Sequence, residues 1–187
     1  MLLVALTFAT KSHAQLRWDI GARVGGGKRY LGSQPRGVGN AEGGPAAELT
    51  VHTALLPLLK VGPTVSGEVS PVNGRPTRRH VGVGLEARLF APLPWPQLRP
   101  FAFVGIRGVL ARQSENERHA AGGGTYLSVP FGIGTTMALR KGLKFVATFG
   151  GEGAFAHGGI LYNVRGPLYV GNDVAAVRGM LGVDVEF

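Results

Sequence analysis

His80-Val81-Gly82-Val83-Gly84-Leu85-Glu86-Ala87-Arg88-Leu89 alternates without a lapse. Val81, Val83, Leu85, Ala87 and Leu89 hold the odd positions, and His80, Gly82, Gly84, Glu86 and Arg88 hold the even ones. In an extended strand successive side chains point to opposite faces. In the segment His80 to Ala91, the stretch to Leu89 therefore makes one wholly apolar face and one face of glycine, histidine and two opposite charges. A helix would scatter the same residues around its circumference, so the period of two predicts a strand between two unlike environments.

Seven further segments show the same pattern. Before it lie Leu16–Gly25, Ala47–Leu55 and Leu59–Ser70. After it come Phe101–Ala111, Thr125–Met137, Leu143–Phe155 and Val174–Phe187. Each is about as long as the ~9–11 residues a tilted strand needs to cross a bilayer. Pro63 and Pro130 interrupt two of them, and because proline removes a ladder donor they are expected at bulges or strand ends. The connectors alternate in length. Long ones cover Gly26–Ala46, Pro71–Arg79, Arg112–Gly124 and Ala156–Asp173; shorter ones cover Leu56–Leu58, Pro92–Pro100 and Arg140–Gly142. Short periplasmic turns and long external loops are the habit of outer-membrane barrels.

Composition agrees. Of 187 residues 31 are glycine and only 17% are charged, against about 7% glycine and about 25% charged in an average soluble domain. No apolar run reaches the ~18 residues of a membrane helix, so a membrane protein of this sequence must satisfy its backbone in a closed barrel. There is no cysteine, which removes disulfides and thiolate metal sites.

The formal charge of +9 raises nucleic acid, anionic lipid and acidic polysaccharide as partners, and the placement of the charges decides among them. Fourteen lie inside the proposed strands: Arg17, Arg23, Lys60, Arg88, Arg107, Lys144 and Arg178, with Asp19, Glu48, Glu68, Glu86, Glu152, Asp184 and Glu186. All fourteen occupy the less apolar face of their strand. With one placement per strand taken as given, chance would produce this roughly once in a hundred. A charge on the lipid face costs about 2–4 kcal/mol at mid-bilayer, whereas inward charges of both signs can pair. These residues are therefore expected to form a lumen network, which a soluble lipocalin-type barrel with an apolar lumen would not hold. The long connectors hold nine further basic residues, Lys28, Arg29, Arg36, Arg75, Arg78, Arg79, Arg112, Arg118 and Arg165. There they suit lipopolysaccharide phosphates or a solvated surface equally. Nucleic acid does not fit such a compartment.

Residues 1–14 read differently. Met1 to Thr10 is an apolar run, and Ser12-His13-Ala14 sets small residues at −3 and −1 of a cut before Gln15. This predicts a secretory signal peptide, although no lysine or arginine precedes the apolar run. The mature chain is then 15–187.

From residue 15 onward the sequence resembles the small outer-membrane β-barrel proteins, the class that includes OmpX, OmpW and the OmpA membrane domain. The likeness rests on the eight alternating segments, on Ser128-Val129-Pro130-Phe131-Gly132-Ile133-Gly134 running to a tight turn, and on the ending Leu181-Gly182-Val183-Asp184-Val185-Glu186-Phe187. The resemblance implies an all-β fold, an eight-stranded antiparallel up-and-down transmembrane barrel in a Gram-negative cell envelope. It makes Leu181, Val183, Val185 and Phe187 an insertion signal. It also implies the barrel assembly machinery and periplasmic chaperones as partners, alongside outer-membrane lipid.

Chemistry is sparse. Gly82-Val83-Gly84-Leu85-Glu86-Ala87 matches GxGxxA, but a dinucleotide site needs that motif at a strand-to-helix turn. Gly25-Gly26-Gly27-Lys28 lacks the hydroxyl residue of a P-loop. His52 and His80 fall on inward positions, as metal ligands, as a base or as lumen polar groups, and no HExxH spacing supports a metal. Some outer-membrane barrels are lipid A deacylases with a His-x-Ser pair, and no histidine here has serine two places on. The expectation is a protein without catalytic, cofactor or metal residues, with a structural or surface-interaction role and a lumen plugged by paired charges. Two alternatives stand. One is a narrow porin-like channel, for which inward Gly21, Gly82, Gly84, Gly105, Gly132, Gly134, Gly150 and Gly182 could leave space. The other is a lipid-modifying enzyme whose residues come from separate strands.

Overall fold

Alternation becomes inside and outside on every strand. The computed structural model describes residues 17–30, 41–70, 77–93, 97–114, 122–157 and 175–187. It contains β1 (Trp18–Tyr30), β2 (Ala41–Leu56), β3 (Leu59–Ser70), β4 (Arg78–Phe90), β5 (Leu98–Gln113), β6 (Gly122–Arg140), β7 (Leu143–His157) and β8 (Ala175–Glu186). Each strand pairs antiparallel with its neighbour in sequence, and β8 returns to β1, so the sheet closes into a barrel with no free edge. Along β4 the outward row is Val81, Val83, Leu85 and Leu89, all exposed, while His80, Gly82, Glu86 and Arg88 are buried. Residues 1–14, and with them the proposed signal peptide, lie outside the described residues.

Several strands run past the ends read from the sequence. The first continues to Tyr30 and the second begins at Ala41, paired through Gly25↔Ala46, Gly27↔Gly44 and Lys28↔Gly43. The first long connector is therefore shorter than Gly26–Ala46, and Arg79 and Arg112 are strand residues rather than loop residues. Beyond the apolar band neither face of the wall needs to be apolar, so the period of two fades while the hydrogen-bond ladder continues. The same correction applies at the other end. Leu98, Arg99 and Pro100 pair with Met137, Thr136 and Thr135, which cuts the connector Pro92–Pro100 to residues 91–97.

Neither internal proline marks a strand end or a register shift. Pro63 is opposite Leu85 on β4, and on its other side the β2–β3 partners stop at Thr50↔Thr64 and resume at Thr53↔Val61. Pro130 faces Glu152 on β7, while the β5–β6 partners lapse between Val104↔Phe131 and Arg107↔Ser128. Each missing N–H thus falls where one flanking ladder is already interrupted.

The tight turns, the start of β1 and the end of β8 lie at one end of the barrel. Lys141-Gly142 closes β6 to β7 with Gly142 at φ 76°, a left-handed conformation that favours glycine. Glu186 N–H donates to the Gly142 carbonyl (2.7 Å) and Phe187 N–H to the Trp18 carbonyl (2.9 Å), tying the last residues into this end. Inside it, Phe90, Phe101 and Val146 pack together with Leu58 and Phe103.

Candidate functional site

The lumen is where the sequence places chemistry on rigid walls. Seven strands supply charges to it, and the inward glycines set how close those charges can come. A Cβ at Gly82 would lie 2.5 Å from Arg107 Cδ, one at Gly182 would lie 2.7 Å from Arg23 Cγ, and one at Gly21 would lie 2.6 Å from Thr50 Oγ1. The Gly132↔Gly150 pair receives the ring of Phe103, whose Cζ would be 2.8 Å from a Cβ at either position. Much of the space these glycines leave is filled by neighbouring side chains.

Nine of the charges form one chain of alternating sign. Asp184 Oδ2 accepts from Arg88 Nη1 (2.9 Å), and Arg88 Nε donates to Glu86 Oε1 (2.8 Å). Glu86 Oε1 is 3.9 Å from Arg23 Nη1, which donates to Glu48 Oε1 (3.1 Å). Glu48 Oε2 accepts from Arg107 Nη2 (2.7 Å), and Arg107 Nη1 lies 3.8 Å from Glu152 Oε2. Arg178 completes the run, 3.0 Å from Glu152 Oε2 and donating to Glu68 Oε2 (2.6 Å). Thr50 Oγ1 accepts from Arg88 Nη2 (3.3 Å), and His52 Nε2 sits 3.4 Å from Glu86. Each carboxylate within the run lies between two guanidinium groups, the arrangement in which buried charges compensate one another.

The remaining charges gather at the tight-turn end. Lys60 pairs with Asp19; Lys144 pairs with Asp19 Oδ1 (3.3 Å) and with Glu186. Arg17 is not enclosed: its side chain is 73% exposed and reaches Glu186 from the mouth at 3.4 Å. Arg99, read from the sequence as part of a proline-rich connector, belongs to β5, with its guanidinium carbon 4.9 Å from the centroid of the Phe90 ring. Proline at 92, 94, 96 and 100 hid it, although Leu98 and Arg99 already continue the alternation into Phe101.

Among the described residues the lumen wall leaves small cavities, two of them of about 30 Å³ each. One is lined by Glu48, Glu86, Phe103, Arg107, Glu152 and Arg178 among others; the second, at the tight-turn end, has Asp19, Lys60, Phe90, Arg99, Lys144 and Asp184 in its wall. Each has room for about one or two water molecules. His80 and Tyr126 meet nearer the other end, ring edge to face with the hydroxyl 3.3 Å from Nδ1. His52 and His80 are on different strands and do not meet in a metal set: among the described residues no group of three or more His, Asp or Glu is placed to hold an ion. The GxGxxA stretch is mid-strand, paired on both sides.

The outside is the inverse of the lumen. Ile20, Val24, Leu49, Val83, Ile106, Phe131, Ile133, Phe149 and Leu181 all project outward and exposed. Val183, Val185 and Phe187 continue that face to the last residue. From Val81 to Leu89 the outward row of β4 spans about 26 Å at ~3.3 Å per residue, or about 20 Å of depth at a strand tilt of ~40°, near the ~25 Å apolar band of such barrels. A closed antiparallel barrel of eight strands, apolar outside and charged within, is a barrel built to sit in lipid.

Its fold is that of the small outer-membrane β-barrels. Neisserial surface protein A superposes with a TM-score of 0.71 at 11% identity, covering 91% of this chain and 97% of the other. A major outer membrane protein of Thermus thermophilus gives 0.62 at 16% identity, over 94% and 100%. Ail, the attachment invasion locus protein of Yersinia pestis, gives 0.54 at 10% identity, over 90% and 98%. No protein-family model matches the sequence, and no curated protein matches it.

Proposed function

We propose that this protein is a non-catalytic barrel of a Gram-negative outer membrane, with a structural or surface-interaction role and a lumen closed to solutes. The observation that carries the reading is the run from Asp184 to Glu68. A hydrated solute passing the barrel would have to separate guanidinium and carboxylate groups that have few other partners in a low-dielectric interior. Removing one side of such a pair costs about 3–5 kcal/mol. Eight strands leave a bore that side chains can fill, and the two cavities of about 30 Å³ fit water rather than a metabolite.

The surface-interaction part draws on the neighbours, which are outer-membrane and surface proteins by name. Ail has also been crystallised with the heparin analogue sucrose octasulfate, a polyanion. In this reading residues 1–14 direct export, and the outward row Leu181, Val183, Val185 and Phe187 is offered to the barrel assembly machinery after periplasmic chaperones deliver the chain. Outer-membrane lipid, lipopolysaccharide included, surrounds the finished barrel.

Planar-bilayer recording of the purified protein tests the closed lumen. No discrete openings are expected from wild type. Reproducible unitary currents would replace this reading with the narrow channel. Mass spectrometry of lipid A from an overexpressing strain should find it unmodified; a new lipid A species would make the barrel an enzyme.

A further inference from the structure

Two arginines stand on the wrong side of the wall for the lumen network. Arg79 on β4 and Arg112 on β5 are exposed and share the outward face, and they are direct register partners. Like charges placed opposite each other on one face of a strand pair repel and destabilise it. Among the described residues no carboxylate pairs with either. The position is nevertheless held firmly. The strands stay paired beyond it at Arg78↔Gln113, and Ser114 N–H donates to the Thr77 carbonyl (3.0 Å).

Below the two arginines the same outward face descends through Val81↔Leu110, Val83↔Gly108, Leu85↔Ile106, Ala87↔Val104 and Leu89↔Ala102. The guanidinium groups therefore cap an apolar ladder at the end of the barrel away from the tight turns. In a membrane, that height and direction belong to lipid headgroups. Directly opposed residues have Cβ atoms about 4.5–5.5 Å apart, close enough for both side chains to reach one tetrahedral anion. The planar donor fork of arginine matches phosphate oxygens.

We propose that Arg79 and Arg112 together bind the phosphate headgroup of an outer-leaflet lipid, which removes their mutual repulsion and fixes the lipid against β4 and β5. The proposal rests on the membrane-barrel reading and on an external position for the end opposite the tight turns. Lys28 supplies a comparison within the same barrel. It is also outward and exposed, but its register partners are Gly43 and Val177, so neither residue opposite it is a cation.

The test compares wild type, the double variant Arg79→Gln/Arg112→Gln, and Lys28→Gln in alkyl-maltoside micelles. The micelles are plain, doped with bis-phosphorylated lipid A, or doped with its dephosphorylated form. Native mass spectrometry reads lipid retention, and urea titration reads stability. Wild type should retain phosphorylated lipid A at least tenfold better than the double variant, with Lys28→Gln close to wild type. The unfolding midpoint of wild type should rise with phosphorylated lipid A alone. In plain micelles the double variant should be as stable as wild type or more so, and with phosphorylated lipid A it should be less stable, a reversal of sign that a solvated rim would not give. Equal retention by the double variant, equal loss in Lys28→Gln, or equal stabilisation by dephosphorylated lipid would each overturn the proposal. Heat-modifiable folding and bilayer currents, measured on the same samples, report on the barrel and its lumen separately.

Discussion

The two ionic clusters inside the barrel are built from different cations. The deep run uses arginine alone: Arg23, Arg88, Arg107 and Arg178. The cluster at the tight-turn mouth is centred on Lys60 and Lys144, whose side chains are 13% and 20% exposed, while those of Arg23, Arg88 and Arg107 are 2% exposed or less. Both cations carry one charge, so the difference lies in how each is solvated. Guanidinium is weakly hydrated and presents five donors in a fixed plane; ammonium is strongly hydrated and compact. Where water is excluded, a cation must be solvated by carboxylates and hydroxyls on several strands, and Arg88 does this with Glu86, Asp184 and Thr50. Where water enters, lysine suffices. Arginine is not confined to the depth, since Arg178 at the far end of the run is 14% exposed and Arg17 at the mouth 73%; the comparison teaches that, among the described residues, the driest part of this lumen takes arginine and lysine stays where water reaches.

The largest effect should come from the deep run. Arg88→Ala leaves Glu86 and Asp184 facing each other's charge with one guanidinium fewer, and also opens a void beside Phe101, whose ring Arg88 covers at 5.4 Å. Breaking a buried pair from one side costs about 3–5 kcal/mol. A reversible urea titration in liposomes should find the loss in that range. A loss below about 1 kcal/mol would mean that water already solvates the deep run as it does the mouth, and the distinction would collapse.

The next effects test which face is which. Leu85→Arg sets a charge in the outward apolar row and should cost about 2–4 kcal/mol. Gly84→Ser changes the inward face one residue away, and from the sequence alone a small hydroxyl in a polar lumen should cost less, unless Gly84 is needed for close packing. The structure shows that it is. A Cβ on Gly84 would lie 2.8 Å from Arg107 Cα and closer still to the Ile106 carbonyl, so β4 and β5 would have to separate. Gly84→Ser should therefore destabilise measurably, through packing that salt does not alter. The same titration at two ionic strengths checks this, and a neutral Gly84→Ser would indicate that the β4–β5 approach relaxes freely.

These residues also mark how much was legible in advance. The strands and their two faces could be read because a bilayer outside and a polar lumen inside impose a strict period of two. Leu59–Ser70 has the same bounds in sequence and structure. Strand ends were not legible where the wall leaves the apolar band, as at Lys28, Arg79 and Arg112, since nothing there forces alternation. Arg99 was masked by flanking prolines. The candidate charges could be placed on an inward face, but their partners could not, because pairing such as Arg88 with Asp184 joins strands far apart in sequence and depends on barrel closure. Gly84 reads as spare room in one dimension and as a close backbone approach in three.

The smallest effect should come from the mouth, and its value lies in its salt dependence. Lys144→Gln removes the cation shared by Asp19 and Glu186, yet Lys60 still pairs with Asp19 and Arg17 still reaches Glu186. Glu186 is itself 24% exposed, so water takes up part of what the lysine leaves. Partly exposed pairs of this kind are worth about 0–1 kcal/mol, and the Debye length falls from about 10 Å at 0.1 M salt to about 3 Å at 1 M. The cost of Lys144→Gln should therefore shrink towards zero as salt is raised, whereas that of Arg88→Ala should hold nearly constant because the deep run is shielded from mobile ions. Urea titrations of both variants at about 0.1 M and 1 M sodium chloride compare the two slopes directly. If salt erased both penalties alike, ions would be reaching Arg88, and a lumen that admits ions to its middle would no longer be closed.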